Sequence, residues 1–185
     1  MAVTTLDPMT ALIIIDLQKG ILALPLAEPI EPVVRNAVAL AEAFRARRLP
    51  VVLVNVNGGA PGRTEQPTRL GSLPADWADL IPELRQQPGD LTVTKQRWGA
   101  FTGTGLEAQL RQLGVTQVVV AGVATSAGVE STARQAHECG FHVTLARDAM
   151  TDRNLEAHQN SLVRIFPRLG ETGTTGEILA LLPAE

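Results

Sequence analysis

Short apolar runs alternate with stretches of helical periodicity along the whole chain. The first run, residues 11–15, is aliphatic and largely β-branched, and Asp16 follows it directly. A continuous apolar run of this length is typical of a strand that is covered on both faces, as in a parallel sheet. Five further stretches predict strands at residues 51–56, 91–94, 115–121, 141–145 and 169–172.

Apolar residues three and four positions apart predict helices between these strands. The helices are expected over residues 33–44, 76–84, 104–113, 125–139, 155–166 and 174–182. Two Thr-x-x-Glu pairs, which begin at Thr104 and Thr174, have the spacing of a capping box. Thr125 or Ser126 is expected to cap the helix between them.

Strand and helix alternate from end to end, with no repeat, low-complexity tract or linker. Alternation of this kind indicates a parallel sheet with helices on both faces. The sequence therefore predicts a single α/β domain over residues 1–185. Its expected architecture is a doubly wound, three-layer domain with a six-stranded, mainly parallel sheet.

Composition excludes several classes of function. A formal net charge of -3 gives no electrostatic footprint for nucleic acid or an anionic membrane. No apolar run approaches the ~18–20 residues that a membrane helix needs, and residues 1–10 carry no basic residue of the kind that begins a secretory signal. The single cysteine, Cys139, cannot form an internal disulfide or a zinc site of several thiolates. We therefore expect a cytoplasmic protein.

Candidate chemistry lies at the predicted strand ends, where ligands bind in sheets of this type. Asp16 is either a structural carboxylate or an acid/base group whose pKa is tuned by a cleft. Lys95 is either a solvated surface lysine or a group that holds that aspartate ionised or polarises a substrate oxygen. The small-residue turn at residues 122–128 either allows close packing or offers backbone N–H groups to an anion.

Other common sites are not indicated. The three histidines, His137, His142 and His158, show no metal-ligand spacing, and no serine lies in a GxSxG elbow. Cys139 lies 11 residues beyond Gly128 on the same predicted helix, about 16 Å along its axis. It therefore cannot replace a nucleophile at the start of that helix.

Three stretches together resemble the signature blocks of the isochorismatase-like, or cysteine hydrolase, superfamily. They are IIIDLQ at residues 13–18, KQRWGAF at residues 95–101 and GVATSAGVESTAR at residues 122–134. Their order and spacing match across nearly the whole chain. The resemblance implies a Rossmann-like fold and a homo-oligomer, either a dimer or a tetramer.

The resemblance also implies a catalytic set of an aspartate, a lysine and a cysteine. By motif, the aspartate is Asp16 and the lysine is Lys95, but Gly128 stands at the position of the cysteine nucleophile. Because glycine has no side chain, the route through a thiolate and an acyl-enzyme is closed.

The turn before residue 128 is a further part of the resemblance. Members of the family commonly have a non-proline cis peptide there, which in this chain falls between Val123 and Ala124. The resemblance therefore implies that Val123, Ala124 and Thr125 bind substrate or an oxyanion through this turn.

True isochorismatases are similar to this sequence in having glycine at the equivalent place. They cleave a vinyl ether without a protein nucleophile: an aspartic acid protonates the enol ether carbon, and water captures the oxocarbenium ion. The resemblance implies a cofactor-independent hydrolase of a small metabolite, with Asp16 as the acid and Lys95 orienting the substrate or biasing the proton. Glycine is also expected to leave room for a larger substrate or a water.

Four other residues are candidates for substrate contacts. Asn57 is expected to offer its amide, while Arg97, Trp98 and Phe101 either line the mouth of the pocket or are ordinary packing and surface residues. No metal is expected, because nicotinamidase-like members bind one through an Asp and His cluster, and residues 55–61 contain neither.

Two alternatives stay open beside vinyl ether hydrolysis. One is a catalytically silent homologue that binds a small molecule, and the other is an amide hydrolase that uses an activated water. All three hypotheses predict a small-molecule ligand, and none predicts nucleic acid or a membrane as a partner.

Overall fold

Six parallel strands form one sheet in the structure, a computed structural model that describes residues 3–65 and 73–183. The strands are β1 (Thr10–Ile15), β2 (Val51–Val56), β3 (Leu91–Lys95), β4 (Gln117–Val123), β5 (His142–Thr151) and β6 (Glu171–Gly173). Their order is β3-β2-β1-β4-β5-β6, and every neighbouring pair is parallel. The predicted six-stranded α/β fold is confirmed, and the order of strands reverses between β1 and β4.

The helices cover both faces of this sheet. They are α1 (Lys19–Leu22), α2 (Ile30–Ala46), α3 (Leu106–Gln112), α4 (Glu130–Glu138), α5 (Leu155–Asn160) and α6 (Thr175–Leu181). Side chains of α2 and α6 form one hydrophobic cluster with alternate residues of β1, and those of α3 and α4 form a second cluster with the others. All of β1 is buried, because this central strand has a helical layer on each side.

The predicted helix at residues 76–84 is wrong. Only a 3₁₀ turn, Pro82–Leu84, forms there. The carbonyls of Trp77 and Asp79 instead accept hydrogen bonds from backbone N–H groups at the start of α1. Because these carbonyls are already paired with another segment, they are unavailable to a helix of their own.

The predicted helix at residues 155–166 begins at Leu155 as expected but changes its hydrogen bonding. After α5 it continues as a π-helical segment, Ser161–Ile165, and ends in a 3₁₀ turn, Phe166–Arg168. Pro167 has no N–H to continue an α-helix. The segment is therefore helical throughout, but α-helical only in its first part.

One of the two predicted capping boxes is confirmed. The side chain of Thr174 accepts a hydrogen bond from the N–H of Glu177, and the side chain of Glu177 accepts one from the N–H of Thr174. The predicted box at Thr104 is wrong, because Gly105 in a left-handed conformation precedes α3 and Thr104 donates its hydroxyl to the carbonyl of Ala100.

β5 extends beyond its predicted end at residue 145. Its pairing with β4 shifts in register between Val120 and Gly122. Such an irregularity breaks the hydrophobic pattern of a strand without ending it. Asp148 therefore lies inside β5 and accepts hydrogen bonds from the N–H and hydroxyl of Thr175 at the start of α6.

No helix in the described part of the chain has the length and apolar character needed to cross a membrane.

Candidate active site

Asp16 and Lys95 form a buried ion pair at the carboxyl ends of the strands. The Lys95 Nζ lies 2.6 Å from Oδ2 of Asp16, and the two residues are only 2% and 5% exposed, the lysine being the more buried. Asp16 follows β1 and Lys95 ends β3, with β2 between them. Because neighbouring strands are about 4.8 Å apart, only a long side chain from β3 reaches across β2 to the aspartate.

The ion pair has unused hydrogen-bonding capacity. Oδ1 of Asp16 is buried and has no hydrogen-bond partner among the described residues. Within residues 3–65 and 73–183, the Nζ of Lys95 makes its hydrogen bond to Asp16 alone. An ammonium group has three donors, and buried polar atoms without a partner are uncommon in folded proteins. The pair can therefore offer both an acceptor and donors to a small ligand.

Burial raises the pKa of the Asp16 carboxyl from 3.8 to about 6, because the loss of hydration outweighs the attraction and hydrogen bond of Lys95. The backbone of Asp16 is left-handed, with φ at 49°, and its N–H donates to the carbonyl of Val54. Such a conformation is uncommon outside glycine and is often found at functional sites. A carboxyl that titrates near neutrality can either give or take a proton.

Gly128 lies beside this ion pair, and its missing side chain would point towards it. An ideal Cβ at this position would lie 3.3 Å from Oδ2 of Asp16 and 2.9 Å from Cγ2 of Ile15. Ile15 is fully buried in β1. Gly128 was expected to leave room for a larger substrate or a water, but at the Cβ position itself another atom would be in overly close contact with the isoleucine methyl.

We expect Gly128→Ala to lower the free energy of unfolding by about 1–3 kcal/mol, because the new methyl group overpacks against Ile15. Urea denaturation measures this change. Gly176→Ala in α6 is the matched control, since a Cβ there meets nothing within 4 Å; it should stabilise the protein by about 0.5–1 kcal/mol. Equal stabilities of the two variants would show that β1 yields to the methyl group. Gly128→Cys meets the same obstacle.

The turn between β4 and α4 carries Gly128. Its first peptide, Val123–Ala124, is cis, and the chain then forms a π-helical turn, Thr125–Val129. The N-cap residue of this turn is Ala124. The prediction that Thr125 or Ser126 caps the helix is therefore wrong. A π-helical turn at the start of a helix is frequently found at functional sites.

The segment after β5 holds this turn in place. Oδ2 of Asp152 accepts hydrogen bonds from the N–H and the hydroxyl of Ser126, and the hydroxyl of Thr125 lies 2.8 Å from Nδ1 of His158. Asp152 and His158 are both buried. The two residues predicted to cap the helix therefore use their side chains to anchor the turn from within.

Close approach of β4 to β1 requires a glycine at position 122. Gly122 pairs with Ile15 in the sheet, has φ at 112°, and an ideal Cβ there would lie 2.0 Å from the Ile15 carbonyl oxygen. No side chain can be accommodated at that distance. Gly122 thus brings the turn up to the end of β1, next to Asp16.

Sequence reasoning missed two buried polar residues near these strand ends. Asp152 follows β5 as Asp16 follows β1, but the predicted β5 ended too early for this signal to be seen. Gln18 is fully buried, and it exchanges hydrogen bonds with the N–H and the carbonyl of Val56 and donates to the carbonyl of Trp77. Gln18 thereby ties the chain after β1 to the end of β2.

The four predicted substrate contacts have different surroundings. Trp98 is 65% exposed, and Arg97 donates to the preceding backbone carbonyl. The ring of Phe101 packs against a second phenylalanine ring of the core. Asn57 is exposed, and its N–H donates to the carbonyl of Lys95. Their contacts with a substrate stay predictions.

Cys139 directly follows α4 at its C-terminal end, far from Gly128. Among the described residues, no group of three or more His, Cys, Asp or Glu side chains has an arrangement that could hold a metal ion. What the described residues bring together at the strand ends is an acid with a pKa near neutrality, an ammonium group and a glycine backbone.

Comparison with known proteins identifies close relatives of the chain. The family described as the isochorismatase domain matches residues 10–177. The uncharacterized isochorismatase family protein YwoC of Bacillus subtilis is 45% identical over 92% of each chain. The uncharacterized isochorismatase family protein YecD of Escherichia coli O157:H7 is 40% identical over 94% of this chain and 96% of its own.

The chain is also similar to a more distant relative and to a solved structure. The ureidoacrylate amidohydrolase RutB of Pantoea ananatis is 30% identical over 83% of this chain and 74% of its own. An isochorismatase family protein from Burkholderia thailandensis is 42% identical, covers 96% of this chain and 97% of its own, and superposes with a TM-score of 0.92.

Proposed function

Since the chain belongs to the isochorismatase family of hydrolases, we propose that it hydrolyses a small metabolite by acid–base chemistry without a cysteine nucleophile. We further propose that this substrate is a vinyl ether. In this proposal Asp16 is the acid, Lys95 orients the substrate and sets the charge of the acid, and Gly128 stands where a nucleophile would otherwise lie.

The observation that supports the proposal is the buried Asp16–Lys95 ion pair, together with the raised pKa of Asp16. The two groups are 2.6 Å apart and buried, and the pKa of Asp16 is raised to about 6. At neutral pH roughly a tenth of Asp16 molecules therefore carry a proton. An ordinary aspartate, with a pKa near 3.9, would be protonated in only about one molecule in a thousand.

The chemistry follows from these groups. Protonated Asp16 transfers its proton to the vinyl carbon remote from the ether oxygen, which leaves an oxocarbenium ion beside the new carboxylate. Water adds to the cationic carbon and gives up a proton to Asp16, and the resulting hemiketal breaks into a carbonyl compound and an alcohol. The donors of Lys95 that make no bond within the described residues are suited to an oxygen or carboxylate of the substrate.

The pH dependence of kcat/KM tests this mechanism. Because the acid must be protonated, kcat/KM for a vinyl ether is expected to be constant below pH 6 and to fall about tenfold per pH unit above it. The measurement uses isochorismate and simpler enol ethers, with product release followed between pH 4.5 and about 9. A rate that rises through pH 6 would contradict the role of Asp16 as the acid.

Amide hydrolysis by an activated water is the second candidate, and the amidohydrolase name of the relative RutB favours it. Here ionised Asp16 would take a proton from water, so the rate would rise through pH 6 and level off above it. Assaying ureido and carboxamide substrates beside the enol ethers separates the two mechanisms. A silent binding homologue would instead show a ligand-dependent rise in Tm with no product from either panel.

A further inference from the structure

Helix α4 holds the loop that follows Lys95 against the turn that carries Gly128. The loop leaves β3 at Lys95, and after residues 96–99 the N–H of Ala100 donates a hydrogen bond of 3.1 Å to the hydroxyl oxygen of Thr132. The same hydroxyl donates to the carbonyl of Gly128 at 2.7 Å. One side chain therefore joins the segment of the ammonium group to the segment of the glycine backbone.

The Thr132 hydroxyl is suited to this bridging position. Thr132 and Ala100 are both fully buried. A hydroxyl group is a donor and an acceptor at once, so it satisfies two backbone groups from different segments. A valine of the same shape would deprive the buried Ala100 N–H of this partner, and a buried N–H without a partner costs about 1–3 kcal/mol.

Gln135 supports the same loop from α4. Its Oε1 accepts a hydrogen bond of 3.0 Å from the N–H of Phe101, and its Nε2 donates one of 2.6 Å to the hydroxyl of Thr102. An ideal Cβ at Gly99 would lie 2.1 Å from Oε1 of Gln135, so the loop backbone packs directly on this amide. Thr132 and Gln135 are three positions apart and lie on the same side of the helix. Together they contact the loop at residues 99–102.

We propose that Thr132 is a positioning residue of the candidate active site, whose hydroxyl sets the separation between the Lys95 segment and the Gly128 turn. This inference rests on the proposed function, because it assigns a role in that same site. In the proposed reaction the substrate lies between the ammonium group and the glycine backbone. A misplacement of about 1 Å between reacting groups can lower a rate about 10²-fold. Thr132 acts through the two segments that it joins.

The position of Lys95 also affects the charge of the acid. The attraction and the hydrogen bond of Lys95 both lower the pKa of Asp16. If the loop after Lys95 shifts, the 2.6 Å contact between Nζ and Oδ2 of Asp16 lengthens, and the pKa of Asp16 rises. A positioning role of Thr132 therefore predicts a change in this pKa, whereas a purely structural role predicts only a lower free energy of unfolding.

Thr132→Val removes the hydroxyl and keeps the shape of the side chain. We expect kcat for the vinyl ether to fall about tenfold or more while KM stays within about threefold, because orientation is lost and the binding groups remain. The pKa of the Asp16 carboxyl, followed by ¹³C NMR with Asp16→Asn for the assignment, should be higher than in the wild type. Thr132→Ser keeps the hydroxyl and should restore both kcat and the pKa.

Thr144→Val is the matched control. Thr144 is also fully buried, and its hydroxyl accepts a hydrogen bond of 3.0 Å from Nε2 of Gln117. It pairs with Val119 and Glu171 in the body of the sheet. Thr144→Val should therefore lower the free energy of unfolding, as measured by urea denaturation, and leave kcat and the pKa of Asp16 unchanged.

Gln135→Ala is a second test of the same loop. It removes the hydrogen bonds to Phe101 and Thr102, and it should change kcat and the pKa of Asp16 in the same direction as Thr132→Val but by less. If Thr132→Val does not fold, Gln135→Ala decides the outcome, and wild-type values of kcat and of this pKa would overturn the proposal.

The NMR titration needs no substrate, so it separates this proposal from the proposed reaction. A folded Thr132→Val protein with wild-type kcat and a wild-type pKa of Asp16 would overturn the positioning role, even where Asp16 proves to be the acid. A raised pKa that Thr132→Ser reverses would support the role, even where no vinyl ether is hydrolysed. Failure of Thr132→Ser to restore the pKa would show that the methyl group matters and the hydroxyl does not, which would also overturn the proposal.

Discussion

Replacing Asp16 by asparagine is expected to lower kcat/KM for the vinyl ether by about 10²–10⁴-fold, the range that a positioned general acid contributes. Asparagine has nearly the same shape but has no acidic proton to transfer. It also tolerates the left-handed backbone of this position, φ 49°, better than other residues except glycine. The Oδ1 of asparagine can still accept the hydrogen bond from Lys95. Steady-state kinetics at pH 5 and pH 7 measures the loss.

A matched aspartate separates chemistry from folding. Asp148→Asn alters a carboxylate that accepts two hydrogen bonds at the start of α6, so it should lower stability while kcat/KM stays within about threefold of the wild type. Asp16→Asn also leaves the ammonium of Lys95 buried without a counter-charge, which destabilises the fold, so its kinetics are measured well below its Tm. Retention of wild-type kcat/KM by Asp16→Asn would remove Asp16 from the mechanism.

Much of the fold could be predicted because its signals are local. The buried run before Asp16 predicts β1, since only a strand in the middle of a parallel sheet is covered on both faces. The pair at Thr174 and Glu177 predicts the start of α6, because both halves of a capping box lie within four residues. The capping box predicted at Thr104 does not form although it has the same spacing, since the Thr104 hydroxyl donates to the carbonyl of Ala100.

The predictions that were wrong concern features that depend on contacts between distant segments. β5 continues past residue 145 because it stays paired with β4 across a change of register, and no local pattern records that pairing. The polar residues at this interruption, Arg147 and Asp148, suggest the end of a strand. As a consequence, the sequence did not predict that Asp152 is a strand-end carboxylate or that it accepts two hydrogen bonds from Ser126.

The proximity of the three central residues of the candidate site was predictable, but the packing around them was not. Asp16, Lys95 and Gly128 follow from strand-end positions and motif order, and the structure brings all three together. The space around Gly128 did not follow, because Cγ2 of Ile15 belongs to a strand more than 100 positions away in the sequence. A glycine in the sequence means that a side chain is absent, but the space that this side chain would fill can still be occupied by residues from other segments of the fold.

The pKa of Asp16 also makes stability depend on pH. The folded pKa, about 6, lies above the ordinary value of 3.8, so folding favours the protonated carboxyl. The contribution of the Asp16 carboxyl to the free energy of unfolding is fully present below pH 3.8 and is lost as pH rises through 6. The rise in pKa corresponds to about 3 kcal/mol. Lys95 limits this loss, because its attraction and its hydrogen bond both lower the pKa of Asp16.

Lys95→Met is therefore expected to be far less stable at pH 8 than at pH 5. Without the ammonium, the pKa of Asp16 rises further, so at pH 5 the carboxyl is neutral and methionine fills the space of the lysine stem. At pH 8 the unfolded state carries an ionised, hydrated carboxylate, whereas the folded state must either ionise Asp16 without a partner or hold its proton, at a cost of about 3–5 kcal/mol. Urea denaturation at both pH values measures the difference. Lys19→Met, which removes two exposed ion pairs, should change stability little at either pH. Asp16→Asn/Lys95→Met, which removes both charges, should lose the pH dependence. An equal deficit of Lys95→Met at pH 5 and pH 8 would show that the lysine supports the fold by packing, and that its charge does not control the acid.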